Sequence, residues 1–137
     1  MAELLVVDDD DDISTPLSAL FESEGHRVRV ARNGHEGLIA ISARFPDLIV
    51  LDIEMPRLSG PGMAYEMLLA DAGREHIPVI LLSGATELRQ IAKIVGTPYQ
   101  MSKPFNFDKL CSLLQRALTE AVPIKPNLEL LAAMRAA

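Results

Sequence analysis

The sequence predicts an α/β fold with a doubly wound, five-stranded parallel sheet in the strand order 2-1-3-4-5 and helices on both faces. Short apolar runs alternate with helical patterns five times along the 137 residues, as in sheets whose strands are joined by crossover helices. Most of these runs are continuously apolar, which is typical of strands buried on both faces. In such a sheet, ligands bind at the carboxyl edge where the strand order reverses, here between the first and third strands.

The first half of the chain contains three predicted strands and two predicted helices. They are strand 4–7, helix 13–24, strand 27–31, helix 34–44 and strand 48–52. The first helix is expected to have its cap at residues 12–14, so that Pro16 falls in the first turn, where a missing N–H costs little. Gly25 is the expected stop of that helix. The side chains expected to face the core are Leu17, Leu20, Phe21, Leu38, Ile41 and Phe45.

The second half of the chain continues the alternation. The predicted elements are helix 60–72, strand 77–82, helix 86–95, strand 99–101 and helix 106–121. Asn106 is a good cap for the last of these helices, and Gly96 is a good stop for the helix before it. Helical spacing predicts the inward side chains Met63, Met67, Leu68, Phe107, Leu110, Leu114 and Leu118. Residues 1–121 are therefore predicted to form one domain, with 122–137 as a C-terminal tail.

The tail begins with two prolines that end the preceding helix. Asn127 can cap a short new helix, whose apolar side chains are Leu128, Leu131 and Ala132. An isolated helix of this length is marginal in water. The sequence leaves three possibilities open: docking on the domain, docking on a second copy to give a homodimer, or no docking.

Composition argues against several functional classes. The net charge is −6, and the 13 Lys and Arg residues form no basic run, which argues against direct nucleic-acid binding. No window approaches the ~20 apolar residues of a membrane span, and no signal peptide is visible. Cys111 is the one cysteine, so an intramolecular disulfide is excluded and a cytoplasmic location is expected. Cys111 is expected to be a small buried apolar residue, because no His lies near it in sequence.

Carboxylates follow two of the predicted strands. Asp52 ends the third strand, and a run of five consecutive Asp residues begins at Asp8, after the first strand. Such a run is either a solvated loop or a cation site, and its strand-end position, matching that of Asp52, favours the cation site. The predicted strand order brings Asp8, Asp9 and Asp52 to one edge of the sheet. Ser83 and Lys103 end the fourth and fifth strands at the same edge.

Three carboxylates at one edge need a cation to coexist. Their hard oxygen ligands suit Mg²⁺, which is usually bound by a few carboxylates, water and oxygens of a phosphate group. Lys103 supplies a counter-charge, and the Ser83 hydroxyl with backbone N–H groups can hold phosphate oxygens. Because Asp is a competent covalent acceptor, a phosphoryl group bound there can be transferred to a carboxylate. Positioning and charge neutralisation would supply most of the rate.

On these residues the chain resembles a receiver (response regulator) domain of two-component phosphorelay signalling, which has a flavodoxin-like fold. The resemblance rests on motifs in the right order, each at the same end of a strand, and covers residues 3 to about 120. The motifs are the acidic pair Asp8-Asp9 after Leu4-Leu5-Val6-Val7, Asp52-x-x-Met55-Pro56 with Gly60, Ser83 ending the fourth strand, and Lys103-Pro104-Phe105 after the fifth strand.

The resemblance implies how the acidic residues act. Asp52 resembles the phospho-acceptor of the family. Asp9 is implied as a direct Mg²⁺ ligand, Asp8 as a ligand through water, and the backbone carbonyl of Glu54 as a further protein ligand. The implied cofactor is therefore Mg²⁺.

The resemblance also implies a switch rather than a turnover enzyme. Ser83 is similar to the hydroxyl that moves onto the aspartyl-phosphate, Lys103 to the cation that pairs with it, and Pro104 to the residue whose preceding peptide bond is cis. The implied partners are a histidine kinase or phosphotransfer protein as donor, and a downstream protein that binds the altered surface. The implied chemistry is limited to self-catalysed phosphotransfer and autodephosphorylation.

The sequence departs from the family pattern three residues before the lysine, where an aromatic is usual. That position is Gln100, and Tyr99 lies one residue earlier. Side chains alternate along a strand, so Tyr99 and Gln100 are expected to point to opposite faces. The usual coupling of the Ser83 hydroxyl to an aromatic is then lost, unless a local bulge swings Tyr99 into place. The segment from Ser83 to Lys103 is also about two residues shorter than in the family, which predicts a short or displaced fourth helix.

Two other functional classes are alternatives. A Mg²⁺-dependent phosphohydrolase needs an acid/base Asp two residues after its nucleophile, where this chain has Glu54, and an inserted cap for which it has no room. A degenerate receiver would be a phosphorylation-independent binding module, and Gln100 leaves room for it. Glu54 itself is either a solvent-exposed loop acid or a carboxylate that tunes the phosphorylation lifetime, by pairing with Lys103 or Arg57 or by crowding the incoming phosphate.

Overall fold

The computed structural model describes residues 1–52, 62–84 and 88–136. Its five strands form one parallel sheet in the order β2-β1-β3-β4-β5. The strands are β1 (Glu3–Val7), β2 (Arg27–Ala31), β3 (Leu48–Asp52), β4 (Val79–Ser83) and β5 (Tyr99–Ser102). The helices are α1 (Asp11–Ser23), α2 (Gly34–Ala43), α3 (Gly62–Arg74), α4 (Leu88–Val95), α5 (Phe107–Glu120) and α6 (Leu128–Ala136). The predicted fold class and strand order are confirmed.

The side chains of the central strands β1, β3 and β4 alternate between two cores, because successive residues of a strand point to opposite faces. The odd-numbered ones pack with α2, α3 and α4, and the even-numbered ones pack with α1 and α5. The strand residues of the first core are Leu5, Val7, Ile49, Leu51, Val79 and Leu81. Those of the second core are Leu4, Val6, Leu48, Val50, Ile80 and Leu82. Helices therefore cover both faces of the three central strands.

Three side chains predicted to face the core are exposed instead. Phe45 is 57% exposed, because it follows the end of α2 and the helical period no longer applies there. Met67 is 54% exposed, because the buried stripe of α3 runs through Leu68 and leaves Met67 on the outer side. Phe107 is the first residue of α5 and is half-exposed, with its ring centroid 6.0 Å from that of Phe105.

Helix α1 begins earlier than the sequence predicts. Its N-cap is Asp10, whose carboxylate accepts a hydrogen bond from the Asp12 N–H over 2.9 Å, so the predicted cap at 12–14 is wrong. Pro16 consequently lies in the second turn of α1 rather than in the first. Each of the five consecutive Asp residues is a good cap, and the sequence pattern alone does not distinguish between them.

The remaining helix and strand bounds lie within a few residues of the predicted ones. β4 begins at Val79 rather than at Ile77, and α4 is eight residues long and followed by Gly96 with φ of +81°. The starts predicted for the third and fourth helices, residues 60 and 86, lie outside the described residues, as does the side chain of Met63. Within the described ranges, every helix is too short or too polar to cross a membrane.

The C-terminal tail packs on the same chain, which is one of the three possibilities that the sequence leaves open. After α5 the chain passes from the face of α1 and α5 to the opposite face. There Ile124 and Leu131 are buried in the first core with α3 and α4. Asn127 caps α6, with its side-chain Oδ1 accepting from the Leu130 N–H over 3.1 Å. Leu128, which was also predicted to be available for docking, is half-exposed.

Candidate functional site

The carboxyl ends of β1 and β3 place two carboxyl groups side by side. Asp52 is the last residue of β3, and Asp8 directly follows β1. The two strands pair with Val7 opposite Leu51, so Asp8 and Asp52 come next in register. Both are buried, with 1% and 6% of their surfaces exposed. They lie at the point where the strand order reverses, which is the usual ligand position in such sheets.

Lys103 reaches the same carboxylate from the end of β5. Its Nζ lies 2.6 Å from Asp52 Oδ2, and its backbone N–H donates to the Ser83 carbonyl over 3.0 Å. The peptide bond between Lys103 and Pro104 is cis, as predicted. Lys103 therefore balances one buried negative charge, and a buried ion pair of this kind is costly to break from either side.

Asp8 shares the site without a lysine of its own. Burial, and to a smaller extent a hydrogen bond to Asp52, raise the pKa of Asp8 from 3.8 to about 8. The Asp10 N–H donates to Asp8 Oδ1 over 2.9 Å and lowers the pKa by less than burial raises it. At neutral pH and without a bound cation, Asp8 therefore holds a proton.

Two carboxyl oxygens of the site have no further hydrogen-bond donor among the described residues. Apart from the hydrogen bond between the two carboxyl groups, Asp8 Oδ2 and Asp52 Oδ1 accept no hydrogen bond from any residue that the structure describes. Buried oxygens without donors are costly, and adjacent hard oxygen donors suit Mg²⁺, which keeps several waters. The two carboxyl groups therefore fit Mg²⁺.

Additional metal ligands are not preassembled in the described part of the chain. No group of three His, Cys, Asp or Glu side chains there is placed to hold a metal ion. A cation bound by Asp8 and Asp52 would take its other ligands from water, from a phosphate group or from residues outside the described ranges.

Asp9 and Tyr65 lie at the outer part of the site. Asp9 is exposed and lines a solvent-open cleft with the three Asp residues that follow it; its role as a direct ligand stays a prediction. Tyr65, in the first turn of α3, is half-buried. Burial, and then the negative charges of Asp9, Asp8 and Asp52, raise the pKa of its hydroxyl. The sequence does not single out Tyr65, because an aromatic residue in a helix has no local pattern that separates a site position from a core position.

Ser83 lies at the same edge as the carboxylates. It is the last residue of β4 and is fully buried. In the sheet, Asp52 is opposite Leu82, and Ser83 is opposite Ser102, the residue before Lys103. The structure therefore brings Ser83 and Lys103 to the edge predicted from the sequence.

Tyr99 is a structural anchor and does not face this edge. Its ring lies in the core with α1 and α5. Its hydroxyl donates to Glu120 Oε1 over 3.0 Å and accepts from the Val122 N–H over 3.3 Å. The Arg116 guanidinium carbon lies 5.3 Å from the centre of the ring. The alternative that a bulge swings Tyr99 toward Ser83 is therefore wrong.

Gln100 occupies the position in which the family usually has an aromatic. It is opposite Leu81 of β4, whose side chain belongs to the core with α3 and α4. Gln100 is half-buried and shares the face of the sheet on which Ser83 lies, two residues further along. The predicted opposite orientation of Tyr99 and Gln100 is confirmed.

Part of the predicted site lies outside the described residues. This applies to Glu54, Met55, Pro56 and Gly60. The Glu54 carbonyl as a metal ligand and both interpretations of the Glu54 side chain stay predictions.

The fold and the site define a class: doubly wound α/β domains with a lysine-paired aspartate at the switch point of the sheet. Residues 4–115 match the response regulator receiver domain. The chain belongs to this family.

Relatives of different lengths share the similarity. The chain is 38% identical over 120 residues to the nitrogen assimilation regulatory protein NtrX of Azorhizobium caulinodans, a match that covers 85% of this chain and 26% of that protein. It is 31% identical over 127 residues to sporulation initiation phosphotransferase F of Bacillus subtilis, covering 91% of this chain and 97% of that protein. The solved structure of the Vibrio cholerae chemotaxis protein CheY4 matches with a TM-score of 0.71 and 29% identity, covering 85% of this chain and 98% of that one. The chain thus spans about a quarter of NtrX and nearly all of the other two.

Receiver domains are the phospho-accepting switches of two-component signalling, and this chain is such a domain. Members of the family generally bind Mg²⁺ at the phosphorylation site. They interact with histidine kinases or phosphotransfer proteins.

Proposed function

We propose that Asp52 is the residue of this receiver that accepts the phosphoryl group. The observation that carries the proposal is the unequal pairing of its two oxygens. Oδ2 lies 2.6 Å from Lys103 Nζ, whereas Oδ1 accepts no hydrogen bond from the described residues. Lys103 thus fixes the carboxylate, and Oδ1 is available as the nucleophile.

The proposed donor is the phosphohistidine of a histidine kinase or phosphotransfer protein. Asp52 Oδ1 attacks the phosphorus in line, while the P–N bond of the donor breaks. The leaving imidazole keeps the electron pair of that bond and takes up a proton from water. Lys103 compensates the charge of the aspartyl-phosphate. Because the chain supplies only position and charge, its chemistry is limited to this transfer and to hydrolysis of its own acyl phosphate.

The proposed cofactor is Mg²⁺, held by the side chains of Asp8, Asp9 and Asp52 and by the backbone carbonyl of Glu54. When bound, the ion supplies positive charge to the phosphoryl oxygens. Asp8 holds a proton at neutral pH and must release it before its carboxylate can bind a cation. The unpartnered oxygens of Asp8 and Asp52 support this role.

The proposed output begins at Ser83 and Gln100. Once Asp52 is phosphorylated, the Ser83 hydroxyl donates a hydrogen bond to a phosphoryl oxygen. Gln100 shares the face of Ser83 and carries an amide that both donates and accepts hydrogen bonds, so it responds by changing polar partners rather than by burying a ring. The phosphorylated population then presents an altered surface of α4, β5 and α5 to a downstream protein.

A phosphorylation-independent binding module is the second candidate. Gln100 in place of the aromatic, and the Tyr99 hydroxyl already held by Glu120 and Val122, favour it. In that case partner binding is the same for the wild type and Asp52→Asn, and removal of Mg²⁺ has no effect. The cytoplasmic location, proposed from the lone thiol of Cys111, and the homodimer both stay predictions.

The test of the phospho-acceptor is the intact mass of the protein after incubation with acetyl phosphate, with and without Mg²⁺. We expect one added phosphoryl group in the wild type with Mg²⁺ and none in Asp52→Asn. Asp71→Asn is the matched control, because Asp71 forms a surface ion pair with Arg74 near the end of α3 and should label like the wild type. Labelling that survives in Asp52→Asn would refute the assignment.

A further inference from the structure

Residues 122–131, here called the strap, connect the two faces of the sheet. The strap begins on the face of α5, where the Val122 N–H donates to the Tyr99 hydroxyl at the start of β5. It then reaches the opposite face, where Ile124 and Leu131 are 2% and 0% exposed in the core shared with α3 and α4. The strap is therefore part of the packed structure on both faces.

The strap supplies hydrogen-bond donors to the C-terminal end of α4. The last carbonyls of a helix have no partner within the helix. Here the Asn127 N–H donates to the Ile94 carbonyl over 2.8 Å, and the Lys125 N–H donates to the Gly96 carbonyl over 3.1 Å. Because α4 is only eight residues long, these two bonds are a large addition to its hydrogen bonding.

Two glycines allow the strap to approach this closely. A Cβ on Gly96 would collide with the backbone of Lys125, and a Cβ on Gly73 of α3 would lie 3.1 Å from Pro126 Cδ. Gly96 also has φ of +81°, a conformation that side chains disfavour. The close fit at both helices indicates a specific seat for the strap.

The other end of α4 is joined directly to the phosphorylation site. Four residues, 84–87, separate Ser83 from Leu88, the first residue of α4. Ser83 lies buried at the edge that holds Asp52. In the proposed function, Ser83 donates a hydrogen bond to the phosphoryl group, so the phosphorylation site and the strap lie at opposite ends of the same short helix.

We infer that the strap is an inhibitory latch on the phosphorylation switch. This inference deepens the proposed function and rests on it. The docked strap stabilises the position that α4 has in the unphosphorylated protein, because any displacement of α4 loses the bonds from Lys125 and Asn127. Phosphorylation of Asp52 and docking of the strap therefore oppose each other, and by thermodynamic linkage each weakens the other by the same factor.

The test uses the full chain with Leu131→Ala and its matched control Leu130→Ala. Leu131 is fully buried, whereas Leu130, one residue away in the same helix, is 48% exposed. The probe is beryllium fluoride with Mg²⁺, a non-covalent mimic of the phosphoryl group on Asp52. We expect Leu131→Ala to bind it about fivefold or more tightly than the wild type, at the lower end of typical couplings between sites. Leu130→Ala should bind it like the wild type.

A second pair of variants leaves the core intact. Lys125→Pro removes the N–H that donates to Gly96 and puts ring atoms in its place, whereas Lys125→Ala keeps the N–H and removes only the side chain beyond Cβ. Lys125→Pro should also tighten binding of the probe, and Lys125→Ala should not. This pair distinguishes release of the strap from a general loss of folding in Leu131→Ala.

Hydrogen exchange in the wild type provides the reciprocal test. Binding of the probe should accelerate exchange at the amides of Lys125 and Asn127, which lie in the strap. Unchanged exchange there, together with equal probe affinity in all variants, would overturn the latch. Failure of the wild type itself to bind the probe or to accept a phosphoryl group from acetyl phosphate would instead refute the proposed function, and the latch with it.

Discussion

Asp8 and Asp52 are the same residue type at the same end of neighbouring strands, yet the structure gives them different partners. Asp52 contacts the ammonium group of Lys103, whereas burial raises the pKa of Asp8 to about 8. Environment rather than residue type thus distinguishes the two carboxyl groups: one contacts a lysine, and burial raises the pKa of the other.

Replacement of Tyr99 by Phe separates the structural role of the hydroxyl from signalling. The hydroxyl bonds with Glu120 and the Val122 N–H, so Tyr99→Phe should lower the free energy of unfolding by about 1–2 kcal/mol. Urea denaturation measures this loss. The loss caused by Tyr99→Phe should be smaller in a Glu120→Ala background, because one partner of the hydroxyl is then already absent. Labelling by acetyl phosphate should remain at the wild-type level, and slower labelling of a folded Tyr99→Phe protein would contradict the structural assignment.

The alternation rule predicts the orientation of Tyr99 and Gln100 correctly, because a strand has only two faces. The same rule does not predict that Tyr65 lies beside the acidic site. Its position depends on how α3 packs against α2, which is a tertiary property. The placement of Asp8, Asp52, Ser83 and Lys103 is predictable because each lies at the carboxyl end of a strand, and the edge of the sheet then brings them together.

At the scale of the elements, the strands were more predictable than the helix faces. A continuous apolar run reads as a buried strand whatever its register, and all five strands lie within about two residues of their predicted bounds. The inward face of a helix depends on its phase and on where it ends. For these two reasons the sequence pattern predicts the wrong side for Phe45 and Met67. Capping by Asp10 was not predictable, because its four acidic neighbours offer the same chemistry.

Contact between α2 and α3 depends on Gly34. A Cβ there would lie 2.8 Å from the backbone nitrogen of Tyr65, whereas the nearest atom to a Cβ on Gly37 would be the end of the Leu68 side chain, at 3.0 Å, with Val7 Cγ2 next at 3.5 Å. Gly34→Ala should therefore lower the free energy of unfolding by roughly 1–3 kcal/mol. Gly37→Ala should change it by less than about 1 kcal/mol, because Leu68 can move and Ala favours the helix. Urea denaturation midpoints at equal m-values measure both changes in the free energy of unfolding. A larger loss of stability in Gly37→Ala than in Gly34→Ala would refute this account.

At the scale of the whole molecule, the sequence predicts the sheet and its connections but not the docking of the strap. The five alternations and right-handed crossovers leave few topologies. In the strap, by contrast, buried Ile124 and Leu131 alternate with half-exposed Leu128 and Leu130, so no amphipathic period indicates a face. Its seat is created by the shapes of α3 and α4, which only the folded structure supplies.

The acidic site should make global stability depend on pH. The native protein keeps the Asp8 proton up to pH about 8, while the unfolded chain releases it near 3.8. The native state thus binds more protons in this window, so the free energy of unfolding of the metal-free protein falls as pH rises, by at most about 1.4 kcal/mol per pH unit from this group. Urea denaturation across the window in a chelator measures the slope.

Two matched variants test whether Asp8 causes the dependence of the free energy of unfolding on pH. Asp8→Asn should flatten the slope, and Asp71→Asn should not. Added Mg²⁺ should stabilise the wild type most at the upper end of the window, where the carboxyl group is easiest to deprotonate. An identical slope in Asp8→Asn and the wild type would show that the buried proton resides elsewhere.

The dependence of α4 on the strap has a consequence for recombination among receivers. Residues 88–96 and 122–131 are separated by a strand and a helix, yet they form one hydrogen-bonded unit seated on Gly96. A crossover between parent sequences anywhere in 97–121 would give α4 from one parent and the segment that completes it from another. Functional hybrids should therefore take both segments from the same parent, although the two segments are not adjacent in sequence.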